Sequence, residues 1–525
     1  MKFKTRMINA AVAAALGTVA GAAQAVNLGN DGQGMVLIYP YYTVQNKGST
    51  AFDTYISVVN SDSVNGKAVK VRFLEGKNSV EVLDFNLYLS PNDMWVGNIT
   101  RNVGDANARL STTDNSCTVP EIPPGGVIGA TSTVPGIARW VSFVNNGYLG
   151  DLAKDDSLSR TREGYVEIIS MADIQPGGVT DGAQGTPALN TYNASLHNSA
   201  GVPPNCAGIR AAWTPPFPGA NDYNTPPNDG VFPPTGGLSG AATIINPNEG
   251  TDITYDAVAV DNFSAIALHF EPGSIQPQLS DVNPKNSAVF SGTDVVRTTW
   301  GIGILPPAMP VTALFMRNAV INEYAYAVGG PTAPTLGTDW VVNFPTKRLH
   351  LAEPAIANKL PFVSLTAGIG APLTSTGACE LTTPTAYNRE EGVITTGLGF
   401  SPPRTQPGQN LCWEVNVISI DSAGGTISNV LNSNGGVLAT TGIRMTLNPG
   451  FTEGWIRMAF AQARTAPVGS TVRTNIYTGL VGPATASVYT GLPMLGFSAV
   501  SFVNTSTVAN YGGSYTHRYS RNINP

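Results

Sequence analysis

Val69-Lys70-Val71-Arg72-Phe73 and Leu83-Asp84-Phe85-Asn86-Leu87-Tyr88-Leu89 each place an apolar side chain at every second position. A period of two sends successive side chains to opposite faces of a strand, so both stretches predict strands with one buried face and with Lys70 and Arg72 turned away from it. Similar β-branched and aromatic runs flank them, from Val36 to Tyr42, Thr54 to Val59 and Met94 to Thr100. Turn material separates the runs, as in Ser61-Asp62-Ser63-Val64-Asn65-Gly66 and Ser90-Pro91-Asn92-Asp93. Strands about ten residues apart with such turns predict an all-β chain of antiparallel β-sandwich domains, two or three packed Ig-like or jelly-roll-like units with long Pro/Gly-rich loops and little helix.

Periodicity fades from Arg101 to Pro135, where Pro120, Pro123 and Pro124 accompany Cys117, and returns at Ala138 to Val144 and Tyr165 to Met171. The composition then divides the mature chain into a β-sandwich region over 26–176, an irregular Pro/Gly/Asn-rich excursion over 177–240, and strand-rich regions over 241–370 and 371–525. So long an irregular stretch predicts a linker, a surface flap or an assembly arm. Strands are expected at Ser264 to Phe270, Val295 to Ile304, Trp340 to Phe344, Cys412 to Ile420, Gly454 to Ala461, Ala486 to Tyr489 and Gly496 to Val503. Arg317 to Ala327 is the best helix candidate, although its apolar alternation suits a strand almost equally well.

The first 25 residues read as a signal peptide. Lys2, Lys4 and Arg6 form a positive segment, a small apolar stretch follows, and Ala23-Gln24-Ala25 supplies a small-x-small cleavage site, so the mature chain is expected to begin at Val26. The predicted localisation is the cell surface or extracellular space, with the periplasm as the alternative. The apolar stretch falls short of the ~20 residues a spanning helix needs.

Charged residues make up 12% of the chain and the formal charge is −6, or −9 once the three leader cations are removed. Clustered Lys and Arg are lacking, so nucleic acid is excluded as the expected partner. Four cysteines, Cys117, Cys206, Cys379 and Cys412, allow three pairings in an oxidising compartment. Cys117 with Cys206 and Cys379 with Cys412 are expected, because each pair brackets a loop-rich segment.

Catalytic patterns are sparse. Four histidines, His197, His269, His350 and His517, stand far apart without metal-ligand spacing. No Gly-x-Ser-x-Gly elbow and no phosphate-cradling Gly-rich loop occurs, and 35 Asp and Glu residues offer many carboxylate pairs without singling one out. No cofactor is expected, with calcium as the one candidate ion. Its candidate ligands are Asp151, Asp155 and Asp156, with the Glu390-Glu391 pair as a weaker acidic cluster, and neither has the alternating acidic loop of an EF-hand. Seven tryptophans invite a carbohydrate-stacking reading, yet six lie in or beside strand-like apolar runs, where burial explains them. Trp213, beside Pro215, Pro216 and Phe217, is therefore the expected ligand or partner contact.

Three groups of phrases carry a resemblance: Val36 to Tyr42 with Lys67 to Asn78 and Glu81 to Pro91; Glu163 to Ile168 with Thr338 to Lys347; and Gly491 to Phe497. In them the chain resembles a family of uncharacterised exported proteins of Gram-negative bacteria, described only as cell-surface proteins. The resemblance runs the length of the mature chain and implies no activity and no site residues. The reading that follows is a secreted, non-enzymatic structural or adhesive protein, such as a surface-layer or matrix component, whose partners are further copies of itself or cell-envelope components. Two alternatives are a polysaccharide-binding or polysaccharide-degrading β-sandwich protein and an outer-membrane β-barrel.

Overall fold

The computed structural model describes residues 24–47, 49–102, 104–127, 136–148, 155–177, 189–213, 230–248, 250–300, 307–326, 335–352, 361–362, 378–394, 400–401, 409–422, 430–433, 442–447, 450–460, 471–475, 488–504 and 509–524. Residues 1–23 of the expected leader, Asp151, and Pro215 to Phe217 lie outside them. Among the described residues strands make up 51%, helices are few and short, and the sheets stack without closing a barrel, which is the all-β architecture expected.

The first sandwich is built mainly from these described strands: β1 (Val36–Thr43), β2 (Asp53–Asn60), β3 (Gly66–Glu75), β4 (Glu81–Leu89), β5 (Met94–Thr100), β6 (Arg109–Thr112), β7 (Cys117–Val119), β8 (Arg139–Ser142), β9 (Glu163–Ile174), β10 (Ala241–Asn246), β11 (Thr251–Asp256) and β12 (Val258–Asp261). One sheet has the order β12-β1-β9-β3-β4-β7, the other β8-β6-β5-β2-β10-β11. Val69, Val71 and Phe73 of β3 meet Ile56, Val58, Trp95, Leu110 and Ile244 of the facing sheet in one core. The boundary expected at 241 is thus corrected. Composition marks the excursion, but strand pairing decides membership, and β10, β11 and β12 return to complete the sandwich begun before it.

The second face of β3 differs from expectation. Lys70 and Arg72 point away from the core as the alternation requires, yet both are buried. Arg72 reaches Glu81 at 2.8 Å and Glu167 at 2.7 Å on the strands to either side, Lys70 pairs with Asp84, and Lys67 meets Asp173 at 2.7 Å. Alternation reports which face a residue takes, not whether later chain covers that face. Here it does: the Ser264 to Phe270 stretch, expected as a strand, runs irregularly across the outside, with Asn86 Nδ2 donating to the Phe270 carbonyl at 3.0 Å. Ion pairs so buried cost desolvation that their attraction roughly repays, and removing one partner strands the other.

The described part of the excursion is tied down as well. Its helices α1 (Thr191–Ser195) and α2 (Cys206–Ala211) begin at Asn190 and Asn205, whose side chains accept the Asn193 and Gly208 amides. The Cys117–Cys206 disulfide joins α2 to β7, and Ala194, Ile209, Ala212 and Trp213 pack on Ala68, Tyr88 and Met171.

A second sandwich follows, from β13 (Ala319–Ala325), β14 (Thr335–Asn343), β15 (Glu380–Asn388), β16 (Val415–Ser422), β17 (Gly442–Leu447), β18 (Glu453–Ala459) and β19 (Leu495–Asn504). Its sheets run β15-β18-β13 and β17-β16-β14-β19, with β16 and β17 the parallel pair in an otherwise antiparallel arrangement. Val320 and Tyr324, Trp340 and Val342, Ala386, Ile418 and Ile420, and Ile456 and Met458 form the core between them. The 370/371 division therefore also falls inside one structural unit. Within the Arg317 to Ala327 stretch, Ala319–Ala325 is strand, because Val320, Asn322 and Tyr324 alternate inward; the helix lies just before it at Met309–Phe315, and Ala327 lies outside the described residues. The Cys379–Cys412 disulfide links the chain entering β15 to the chain entering β16, one from each sheet.

The β14-β16-β19 sheet has two buried faces. Trp340, Val342, Ile418 and Ile420 fill its own sandwich, whereas Val341, Val415, Val417, Phe497 and Ala499 join the core of the first. Phe497 stacks on Tyr255 of β11 at 4.5 Å, and Asn343 Nδ2 donates to the Pro40 carbonyl of β1 at 2.9 Å. The Glu414 and Val415 amides donate to the Lys77 and Gly76 carbonyls at 3.0 and 2.9 Å. Polar side chains are buried along this seam, where Tyr41 donates to Glu163 at 2.6 Å and Asp339 accepts the Leu431 amide at 2.8 Å.

Asp339 gives a pH prediction. Burial pushes its carboxyl up from 3.8 to about 7. Between those values the folded chain keeps a proton that the unfolded chain releases, so this group lowers stability as pH rises through that window. His269 and His517, held by burial at about 3 and about 4, act oppositely below their ordinary value of 6.5. Asp339→Asn is expected to be more stable than the parent at pH 8, on the order of 2 kcal/mol, with the gain gone near pH 4. Urea titrations at the two pH values measure it, and an equal change at both contradicts the assignment. For the disulfides, replacing Cys117 and Cys206 together by Ala is expected to cost about 4 kcal/mol, given the 89-residue separation, read by the same titration.

Candidate functional site

The outer face of the β15-β18-β13 sheet is built by simple alternation. In Gly454-Trp455-Ile456-Arg457-Met458, Ile456 and Met458 turn into the core, so Trp455 and Arg457 turn out. Register places Tyr387 of β15 and Glu323 of β13 on either side of Trp455, forming one row across three strands. Tyr387 and Trp455 stand face to face, with ring centroids 4.1 Å apart and planes 10° from parallel. One face of the indole is therefore covered by the phenol, and the opposite face looks toward β13.

A groove of about 1090 Å³ lies there. Its walls include Ile321, Glu323, Tyr387, Arg389, Trp455 and Arg518. Arg518 Nη1 donates to Glu323 Oε1 at 2.9 Å, and Arg389 approaches Glu453 at 3.4 Å and Glu390 at 3.6 Å. These charged groups are solvent-exposed, so each pair contributes little to stability. They instead present N–H donors and carboxylate acceptors beside an open aromatic ring. Trp455 is 37% exposed, the largest exposed side chain among the described residues.

The tryptophan expectation is reversed. Trp213, expected as the partner contact, is 8% exposed. Its Nε1 donates to the Tyr88 hydroxyl at 2.8 Å, the Tyr88 hydroxyl lies 3.0 Å from His269 Nε2, and the indole packs 4.7 Å from the His269 ring. Burial keeps His269 neutral, so its Nε2 can accept the Tyr88 proton. The physical reason for the correction is that α2, fastened by Cys117–Cys206, folds the end of the described excursion onto the sheet. Trp213 is a core residue. The signal for Trp455 was present in the sequence, since its neighbours Ile456 and Met458 take the buried parity and leave it with Arg457.

The calcium ligands do not assemble among the described residues. Asp155 is engaged by Lys77 Nζ at 2.6 Å and by the Ser157 amide at 3.1 Å, and Asp156 is exposed. Glu390 sits against Arg389, and no group of three or more His, Cys, Asp or Glu side chains converges among the described residues. One constellation imitates a hydrolase. Ser90 Oγ is 2.8 Å from His197 Nδ1, and Asp93 Oδ2 is 3.5 Å from that same nitrogen. A charge-oriented base holds its carboxylate and its nucleophile on opposite ring nitrogens. With both on Nδ1, and with Ser90 Oγ donating to the Ser195 carbonyl at 3.0 Å, the trio fastens the end of α1.

Both expected disulfides form, Cys117 with Cys206 and Cys379 with Cys412, and no described cysteine is free. No helix among the described residues is long and apolar enough to cross a membrane. Comparison with protein-family models, with curated proteins and with solved structures found no match to this chain.

Proposed function

We propose that this chain is an exported, non-enzymatic protein of the cell surface or extracellular space, with an adhesive or structural role performed by its outer sheet faces. The observation that carries this reading is the outward Tyr387–Trp455 pair with its flanking ion pairs on a solvent-exposed sheet face. Several features support it. The leader-like first 25 residues and two disulfides fit an oxidising compartment. The resemblance to exported Gram-negative surface proteins points the same way. Envelope components, including polysaccharide, and further copies of the chain are the partners such a surface serves. Binding rather than cleavage is favoured at the groove, because its carboxylates Glu323 and Glu453 are each engaged by a guanidinium.

The full chain carrying a C-terminal epitope is expected in the outer-surface fraction, with its first 25 residues removed and the epitope cleavable by protease added to intact cells. Recovery from the cytosol with the leader still attached contradicts the reading.

A further inference from the structure

We infer that the groove beside Trp455 binds a neutral polysaccharide chain, with the free face of the indole as the stacking platform and the Arg518–Glu323 and Arg389–Glu453 pairs as the hydroxyl partners. The inference rests on the surface-binding role above and names its ligand class.

The aromatic geometry comes first. A pyranose ring has a face of C–H groups that packs on an aromatic face, while its hydroxyls point outward around the ring edge. Trp455 offers such a face toward β13, and the 4.1 Å stack on Tyr387 holds the indole upright. A side chain already fixed in its binding orientation loses little rotamer freedom when ligand arrives. The main chain holds it close too: a Cβ on Gly454 would sit 1.8 Å from the Tyr387 carbonyl oxygen, so glycine lets β18 and β15 approach at this row.

Charge then selects among ligands. Among the described lining residues, Arg518 is matched by Glu323, and Arg389 by Glu453 and Glu390, so both guanidiniums that line the groove face a carboxylate. A quaternary ammonium ligand needs an aromatic cage, and here one indole face is open while the other is covered. A neutral sugar suits what remains. A guanidinium–carboxylate pair keeps spare N–H donors and spare lone pairs, and a hydroxyl, being donor and acceptor together, can use both. At about 1090 Å³ the groove lies at the upper end of the range of small-molecule pockets, which leaves room for more than one sugar unit.

The test uses the full-length, disulfide-intact protein in affinity gels and pull-downs with neutral glycans (cellulose, chitin, a β-1,3-glucan and starch) and with alginate as the anionic comparison. Trp455→Ala is compared with Val64→Ala, an exposed apolar control in the first sandwich. Retention by at least one neutral glycan, weakened about tenfold or more in Trp455→Ala but not in Val64→Ala, with both variants folded by circular dichroism, supports the inference. Trp455→Phe is expected to retain part of the binding. Equal retention of parent and Trp455→Ala overturns it, as does binding confined to alginate and abolished by salt, or binding to none of the glycans. If Trp455→Ala unfolds, protection of Trp455 from N-bromosuccinimide oxidation by bound glycan in the parent supports the inference, and undiminished oxidation overturns it. Surface placement is read separately by cell fractionation, so a blank glycan panel with surface-exposed protein removes the ligand and leaves the surface role standing.

Discussion

Two backbone hydrogen bonds, from Glu414 and Val415 to the carbonyls of Lys77 and Gly76, set the arrangement on which the rest of the molecule depends. They stitch the entry of β16 to the β3–β4 turn, and with it a sheet that must bury both faces. Once there, β16 and its neighbours spend Ile418 and Ile420 on one core and Val415 and Val417 on another. Apolar side chains on both faces of a strand demand cover on both sides. Polar contacts cross the seam, with Tyr41 donating to Glu163 and Asp339 Oδ2 accepting the Leu431 amide. Buried polar contacts of this kind tolerate few alternative dockings, since a shifted seam would leave donors and acceptors without partners.

That constraint explains where binding chemistry can reside. The first sandwich has its outer β3 face covered by the excursion and by the 264–270 stretch, and the β14-β16-β19 sheet is covered on both sides. The β15-β18-β13 sheet has its outer face open at the row Tyr387, Trp455 and Glu323. Aromatic side chains on a solvated sheet face can stabilise it by cross-strand packing, roughly 0.2–1 kcal/mol per pair. The same stacking presents the opposite indole face without further reorganisation, so structural support and ligand presentation come from one contact.

Much of the fold was legible in the residues. Val69, Val71 and Phe73 against Lys70 and Arg72 announced β3 and its parity, and Leu83 to Leu89 did the same for β4. The disulfide pairing followed from which cysteines bracket loops. Long-range cover was not legible. Nothing near Lys70 or Arg72 tells that residues almost two hundred positions later cross over them, and nothing near residue 241 tells that β10 to β12 pair backward into the first sandwich. Arg317 to Ala327 was ambiguous because alternation and helical spacing overlap over a few residues, and packing of Val320 and Tyr324 settled it as strand. The site was readable in part. Trp213 looked exposed because its neighbours are prolines, whereas Tyr88 and His269, distant in sequence, bury it. Trp455 looked buried because its run is apolar, although parity had already set it beside Arg457.

The central structural claim is that the β14-β16-β19 sheet is common to both sandwiches, with one face in each of their two cores. Native-state hydrogen exchange of the intact chain tests it most directly. If the seam is as described, the Val415 and Glu414 amides exchange only with global unfolding and are protected as strongly as those of β3 and β9. Seam amides that exchange by a separate, low-energy opening while both sandwiches stay protected would contradict it.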